Sequence, residues 1–267
     1  MGGKSVVWVD AFGSLQRVRN VFTSFVFLLG CAVAALAQGN PPFYTDDAGT
    51  VEKKRWELDL GVSTEHARTG DRTWRVPSVD LGYGLTDEIE IDYGVPLLVV
   101  RPADESAKGG LGNSVVGAKW RFFEDTTTKF AVAVNPQVEF NNPTSSRRRG
   151  LVEKNTEFVL PLQVQKSFGE IETAFNFGRT FHARESGEND GWLAGVAAGR
   201  KVSERLQIGT ELYGELARSF DRGFLLLNVG AIYEIDENLS FSASIGRGVA
   251  GADRPDFVGF VGVQLTR

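Results

Sequence analysis

Five carboxylates recur on alternate positions of three neighbouring stretches: Glu57 and Asp59, then Asp80, then Glu90 and Asp92. Lys119 and Arg121 repeat the spacing in a fourth stretch, and Gln137 and Glu139 in a fifth. A spacing of two puts such side chains on one face of an extended chain. Enclosed charges must be paired or wet. Two readings of the set are open. In one, acids and bases form a salt-bridged plug that stiffens the protein. In the other, an acidic and a basic wall face each other across a polar constriction and select solutes by charge. Other chemistry is sparse. His66 and His182 sit at strand ends. His182-Ala-Arg-Glu-Ser186 has hydrolase residue types, but in a loop. No metal-ligand spacing, phosphate loop or nucleophile elbow occurs. The expectation is a protein without metal or cofactor, and not an enzyme.

The elements that carry these charges are alternating runs. Ile89, Ile91, Tyr93, Val95, Leu97 and Val99 share one parity, with Glu90, Asp92 and Gly94 on the other. Val79, Leu81 and Tyr83 repeat the pattern upstream, and Leu85-Thr-Asp-Glu88 supplies a hairpin turn. Similar alternation starts at Trp56, Ser114, Phe130, Phe158, Ile171, Trp192, Leu206, Leu239 and Phe257. The run from Phe224 is apolar on both faces, so its register is undetermined. About twelve strands result.

The links between them alternate strictly. Those at 67–73, 102–113, 141–156, 183–190, 218–222 and 248–256 are longer. Those at 85–88, 124–128, 169–170, 203–205 and 236–238 are shorter. Short turns at one end and longer loops at the other characterise outer-membrane barrels. Phe130 and Phe140, like Phe158 and Phe168, bracket strands of ten residues. Ten residues rise ~33 Å. Tilted by ~45° they span ~23 Å, close to the ~25 Å apolar band between aromatic girdles. The rival is a soluble sandwich or barrel with the aromatics inside. Periodicity alone does not separate the two; strand length, loop alternation and the N-terminus favour the membrane.

That N-terminus has Arg17 and Arg19 before an apolar run that ends in Ala35-Leu-Ala37. This describes a secretory signal over 1–37, cut after Ala37. A membrane anchor is one alternative; lipidation of Cys31 in Leu28-Leu-Gly-Cys31 is another. Cys31 is the chain's one cysteine, so no disulfide framework is expected. The net charge of −5 argues against a nucleic-acid partner. Residues 38–54, with Pro41-Pro42 and Asp46-Asp47, read as an irregular periplasmic segment, and 55–267 as the barrel.

Several stretches resemble a family of bacterial outer-membrane proteins named for the meta-cleavage pathway of phenol degradation. They are Pro42-Phe-Tyr-Thr-Asp-Asp-Ala-Gly-Thr50, Trp56-Glu-Leu-Asp-Leu60, Val76-Pro-Ser-Val-Asp-Leu-Gly-Tyr-Gly-Leu-Thr-Asp87, Tyr93-Gly-Val-Pro96, Gly110-Leu-Gly-Asn113 and Lys119-Trp-Arg-Phe122. The resemblance covers the N-terminal half well and the rest by pattern. It implies a transporter-like barrel for aromatic or other hydrophobic compounds.

Two further sets stand out. Pro77, Pro96, Pro136 and Pro161 fall within strands, where each removes a ladder donor. They mark bulges that shape the rim, or a weakened wall through which apolar solutes leave sideways into the bilayer. Arg147, Arg148 and Arg149 lie in the longest outer loop, as a solvated run or as contacts to lipopolysaccharide phosphates. The sequence thus points to a closed antiparallel all-β barrel of about twelve strands in the bacterial outer membrane. Its first expected role is passive passage of small, aromatic or hydrophobic solutes. A structural or adhesion barrel with a plugged lumen is the second; a lipid-modifying enzyme is the weakest. Expected partners are membrane lipid, lipopolysaccharide, a small-molecule solute and the outer-membrane assembly machinery.

Overall fold

The computed structural model describes residues 42–142, 146–152, 156–183, 190–217 and 222–267. The segment 1–37, its cleavage site, Cys31 and Ser186 lie outside the described residues. Among the described residues no helix is long and apolar enough to cross a membrane.

The strands are β1 (Trp56–Ala67), β2 (Arg72–Gly84), β3 (Ile89–Arg101), β4 (Lys108–Leu111), β5 (Ser114–Asp125), β6 (Phe130–Val134), β7 (Gln137–Phe140), β8 (Thr156–Phe168), β9 (Ile171–His182), β10 (Gly191–Lys201), β11 (Leu206–Ala217), β12 (Gly223–Glu234), β13 (Leu239–Ala250) and β14 (Pro255–Thr266). They build a wall of twelve. β6 and β7 are halves of one wall strand, because Pro136 has no N–H to give and the ladder lapses at Asn135-Pro136. The Ala118 N–H still donates to the Pro136 carbonyl at 3.2 Å. β4 is a short strand within the 102–113 loop and pairs with the outer part of β3. The described ladders are antiparallel between chain neighbours, and β14 pairs with β1 from Glu57↔Thr266 to His66↔Phe257. β9 lies alongside β10, and the barrel is closed. Full-length wall strands such as β1, β3 and β10 have 12, 13 and 11 residues, as the expected span requires.

Burial is inverted relative to a water-soluble body. Phe177 is 57 % exposed, whereas Glu211 is 1 % exposed. Apolar side chains therefore look outward at lipid, and carboxylates and amides are enclosed. Aromatic rings gather near both ends of the wall, as interfacial belts do. At the short-turn end Trp56 packs on Tyr83, with centroids 4.5 Å apart, and Trp120 on Phe122 at 5.6 Å. At the long-loop end His66 packs on Phe257 at 5.4 Å and Phe158 on Phe181 at 6.0 Å. The undetermined register of β12 is set by Asn228, which lies opposite Glu211 on the inner face. The two-residue turn between β8 and β9 closes on Gly169, whose φ of 67° suits glycine.

One boundary differs from the sequence reading. The sequence reading puts residues 38–54 in an irregular periplasmic segment. From Pro42 to Val51 the chain is irregular but lies among the inward side chains of the barrel. Polar groups enclosed by an apolar exterior need partners, and this segment supplies many of them.

If the outer face meets lipid, Phe177→Arg near the middle of β9 costs about 2–4 kcal/mol of stability. Denaturant unfolding from phospholipid vesicles measures it; an unchanged midpoint would place that face elsewhere.

Candidate functional site

The inward acids of β1, β2 and β3 form one continuous wall. Asp59 stands directly opposite Asp80. Asp92 and Asp80 each lie over a glycine of the adjoining strand. A Cβ at Gly117 or Gly94 would collide with those carboxylates, so glycine there lets the acids lie flat. This brings together Glu57, Asp59, Asp80, Glu90 and Asp92.

The basic wall does not form. Lys119 is 3 % exposed and gives its ammonium to Asp46 of the N-terminal segment at 2.7 Å. Arg121 lies at the short-turn end, donating to the Asp87 carbonyl at 2.7 Å and pairing with Glu124 at 3.3 Å. Of the two readings of these charges, facing acidic and basic walls is not the arrangement these contacts form. The physical reason is proximity: each base finds a closer acceptor than the acids of β1 and β2. Of the other two lining candidates, Glu139 accepts from Asn113 at 2.7 Å in the outer half, and Gln137 pairs across to Gly117 and Val159.

The N-terminal segment crosses the lumen as a chord. The Pro42 carbonyl accepts from Ser244 at 2.8 Å and from Asn228 at 3.5 Å. Phe43 lies over Gly209, where a Cβ would come within 2.7 Å of its ring. Tyr44 stacks on Tyr213 with centroids 5.1 Å apart. The Thr45 N–H donates to Glu211. Asp46 exchanges hydrogen bonds with Asn176 at 2.8 and 2.6 Å, and its carboxylate also accepts from Gln163 at 2.7 Å. Ala48, fully buried, packs against Ala131 and Ala133 of β6. The Val51 N–H donates to Glu90 at 2.9 Å. The segment separates two cavities. One of about 450 Å³ opens at the short-turn end and is lined by Asp47, Glu57, Glu90, Asp236 and Glu237. One of about 280 Å³ on the outer side is lined by Phe43, Tyr44, Arg75 and Phe260.

Sequence reasoning missed Asp46, Gln163, Asn176, Glu211 and Asn228 as one network. A signal existed: Gln163, Asn176, Glu211 and Asn228 are an acid and amides on the enclosed parity of their strands, and their partner comes from outside the wall. Asp46-Asp47 lies in the conspicuous stretch just before β1.

The remaining candidates are distributed. At Val76-Pro77 the register of β2 shifts against both β1 and β3. Pro96 lies where β3 exchanges its partner β5 for β4, its carbonyl accepting from Gly112 at 2.8 Å. Pro136 breaks its wall strand, whereas Pro161 stays in register opposite Gly178. Arg147–Arg149 form an exposed 3-10 turn. His182 lies 3.2 Å from Glu157. Outside the wall, Asp71 in the β1–β2 turn is held below the usual carboxylate range, first by the Thr69 hydroxyl and then by the Ala103 N–H.

The family described as "Putative MetA-pathway of phenol degradation" matches residues 32–263. The chain belongs to that family. No curated protein sequence matches it. Among solved structures, this family member is similar to an outer membrane channel from Pseudomonas putida F1. The identity is 13 %, the TM-score 0.67, and the match covers 86 % of this chain and 100 % of that one. It is also similar to the KdgM porin in complex with disordered oligogalacturonate, at 13 % identity and a TM-score of 0.54, over 78 % and 98 % of the two chains. The NanC porin follows at 6 % identity and a TM-score of 0.51, over 79 % and 98 %. At these identities the likeness is one of fold: a closed, twelve-stranded outer-membrane barrel.

Proposed function

We propose that the protein is an outer-membrane channel for passive passage of small solutes, with aromatic compounds as the class its family description suggests. The observation that carries this reading is the enclosed polar lumen, divided by residues 42–51 into an outer and an inner cavity. The segment is held mainly by hydrogen bonds and one ion pair, so water can replace most of its contacts. Support comes from the similar fold of a protein described as an outer membrane channel. The chain is exported by cleavage after Ala37 and inserted by the outer-membrane assembly machinery; in this reading it has no enzymatic role.

A second reading, a structural or adhesion barrel with a plugged lumen, draws on the same segment, since Ala48 and Thr45 are fully buried. Planar-bilayer conductance separates the two. A channel carries current, and Asp46→Asn, which leaves Lys119 with a weakened partner, raises it severalfold by loosening the segment. A wild-type protein silent at every voltage would establish the plugged barrel.

Two finer proposals concern the wall. The ladder breaks at Pro77 and Pro136, with Pro96 at the partner exchange between them, offer apolar solutes a sideways exit to the bilayer; Pro161, in register, belongs to this route only as a neighbour. Pro77→Val with Pro136→Val restores ladder donors. It is expected to slow uptake of a neutral aromatic hydrocarbon into proteoliposomes while sparing ion current; equal uptake would remove the route. The exposed Arg147, Arg148 and Arg149 contact lipopolysaccharide phosphates. Replacing all three by glutamine should lower the lipopolysaccharide that co-purifies with the protein, and an unchanged amount would leave the run merely solvated.

A further inference from the structure

The charge of the inner part of the lumen is one-sided. Five carboxylates stand together on β1, β2 and β3, and of the inward bases Lys119, Arg121 and Lys201 each have an acceptor of their own. Lys119 is bonded to Asp46 at 2.7 Å, Arg121 to Glu124 at 3.3 Å and the Asp87 carbonyl, and Lys201 at the rim to Glu234 at 2.6 Å. Across the lumen β11 adds Glu211 and Glu215, whose partners are neutral: the Thr45 N–H, Asn228 and the Tyr213 hydroxyl. Asp47, Glu57, Glu90, Asp236 and Glu237 line the inner cavity. Arg75 lines the outer cavity, so the excess of acid lies on the inner side.

A second observation is independent of the acid count. Asn135 and Gln163 are each 2 % exposed, and the carbonyl oxygen of each has no hydrogen-bond donor. The amide nitrogens of the same side chains bind Asp92 at 3.4 Å and Asp46 at 2.7 Å. Asp92 Oδ2 is likewise without a donor. Three enclosed oxygens around the Lys119–Asp46 pair thus lack a donor, one of them on a carboxylate. Rings and walls of carboxylates in a narrow passage favour cations and repel anions, more strongly where water is scarce. The outer cavity adds the rings of Phe43, Tyr44 and Phe260 beside Arg75, and aromatic rings attract cations.

We infer that the lumen passes cations in preference to anions, and that small aromatic ammonium ions are the solute class its carboxylates and rings fit. This rests on the channel reading, and the test keeps the two apart. Reversal potentials of the full-length protein are measured across planar bilayers in a potassium chloride gradient, then with benzylammonium chloride replacing potassium chloride on one side. Potassium is expected to permeate about fivefold or more over chloride, and benzylammonium to carry measurable inward current. Asp59→Asn with Asp80→Asn should move the ratio toward one. Because those positions lie within the wall, Asp236→Asn with Glu237→Gln at the exposed inner mouth serves as a second variant and should shift the ratio in the same direction. A wild-type ratio at or below one overturns the inference and leaves the channel standing. Ratios unmoved by both variants remove these acids as its cause. A protein that carries no current overturns both.

Discussion

In hydrocarbon a backbone donor or acceptor without a partner costs several kcal/mol, so a wall of strands in lipid must close on itself. The pairing of β14 with β1 meets that demand to the last residue, since Trp56 and Arg267 exchange N–H and carbonyl at 2.7 Å in each direction. Closure then dictates the rest. With apolar side chains turned to lipid, the alternate side chains have only the interior. An interior full of Asp, Glu, Asn and Gln is stable only if something polar fills it.

Part of that filling is the chain's own N-terminal segment. It has neither helix nor ladder, and its backbone groups are satisfied by inward side chains: Glu211 for Thr45, Asn176 for Asp46, Glu90 for Val51. The dependence is mutual. Lys119, enclosed at 3 % exposure, has Asp46 as its salt-bridge partner. Small inward residues make the space. Gly209 admits the Phe43 ring, and Ala131 and Ala133 admit Ala48. The wall and the segment are thus one construction, although only the wall is built of strands.

What could be read in the sequence follows from what has a period. Outward Phe158, Leu160 and Leu162 repeat every two residues and announce their strand, and the long and short links announce the closure. The segment has no period, so its irregularity was legible and its location was not. Spacing put Lys119 and Arg121 on the inner face, which is where they are. It could not show their partners, because Asp46 is remote from Lys119 along the chain and the Asp87 carbonyl belongs to a turn. β12 illustrates the same limit. Its two apolar faces left the register open until pairing with β11 set Asn228 beside Glu211. Pro136 was legible as a disturbance, but its two effects, a divided strand and a surviving bond to Ala118, needed the neighbouring strands.

The hold on the segment is unevenly distributed, and this bears on how a filled lumen can conduct. A neutral hydrogen bond is worth only about 1 kcal/mol net, since water takes over when it breaks. Most of the bonds along residues 42–51 are exchangeable in this sense once water enters the two cavities. Apolar contact comes from Phe43 over Gly209, Tyr44 on Tyr213, and the buried Ala48 and Val51. The Lys119–Asp46 pair is different. Separating it leaves an enclosed ammonium facing Asp92 and Glu90 across the wall, a poorer arrangement that nevertheless supplies anions nearby. These acids of β3 thereby lower the penalty for moving Asp46 away. A purely apolar plug would give no such graded release: it would stay docked in water and resist displacement in proportion to its buried area. A polar segment pinned at one ion pair, beside spare carboxylates, is the arrangement in which partial withdrawal costs least.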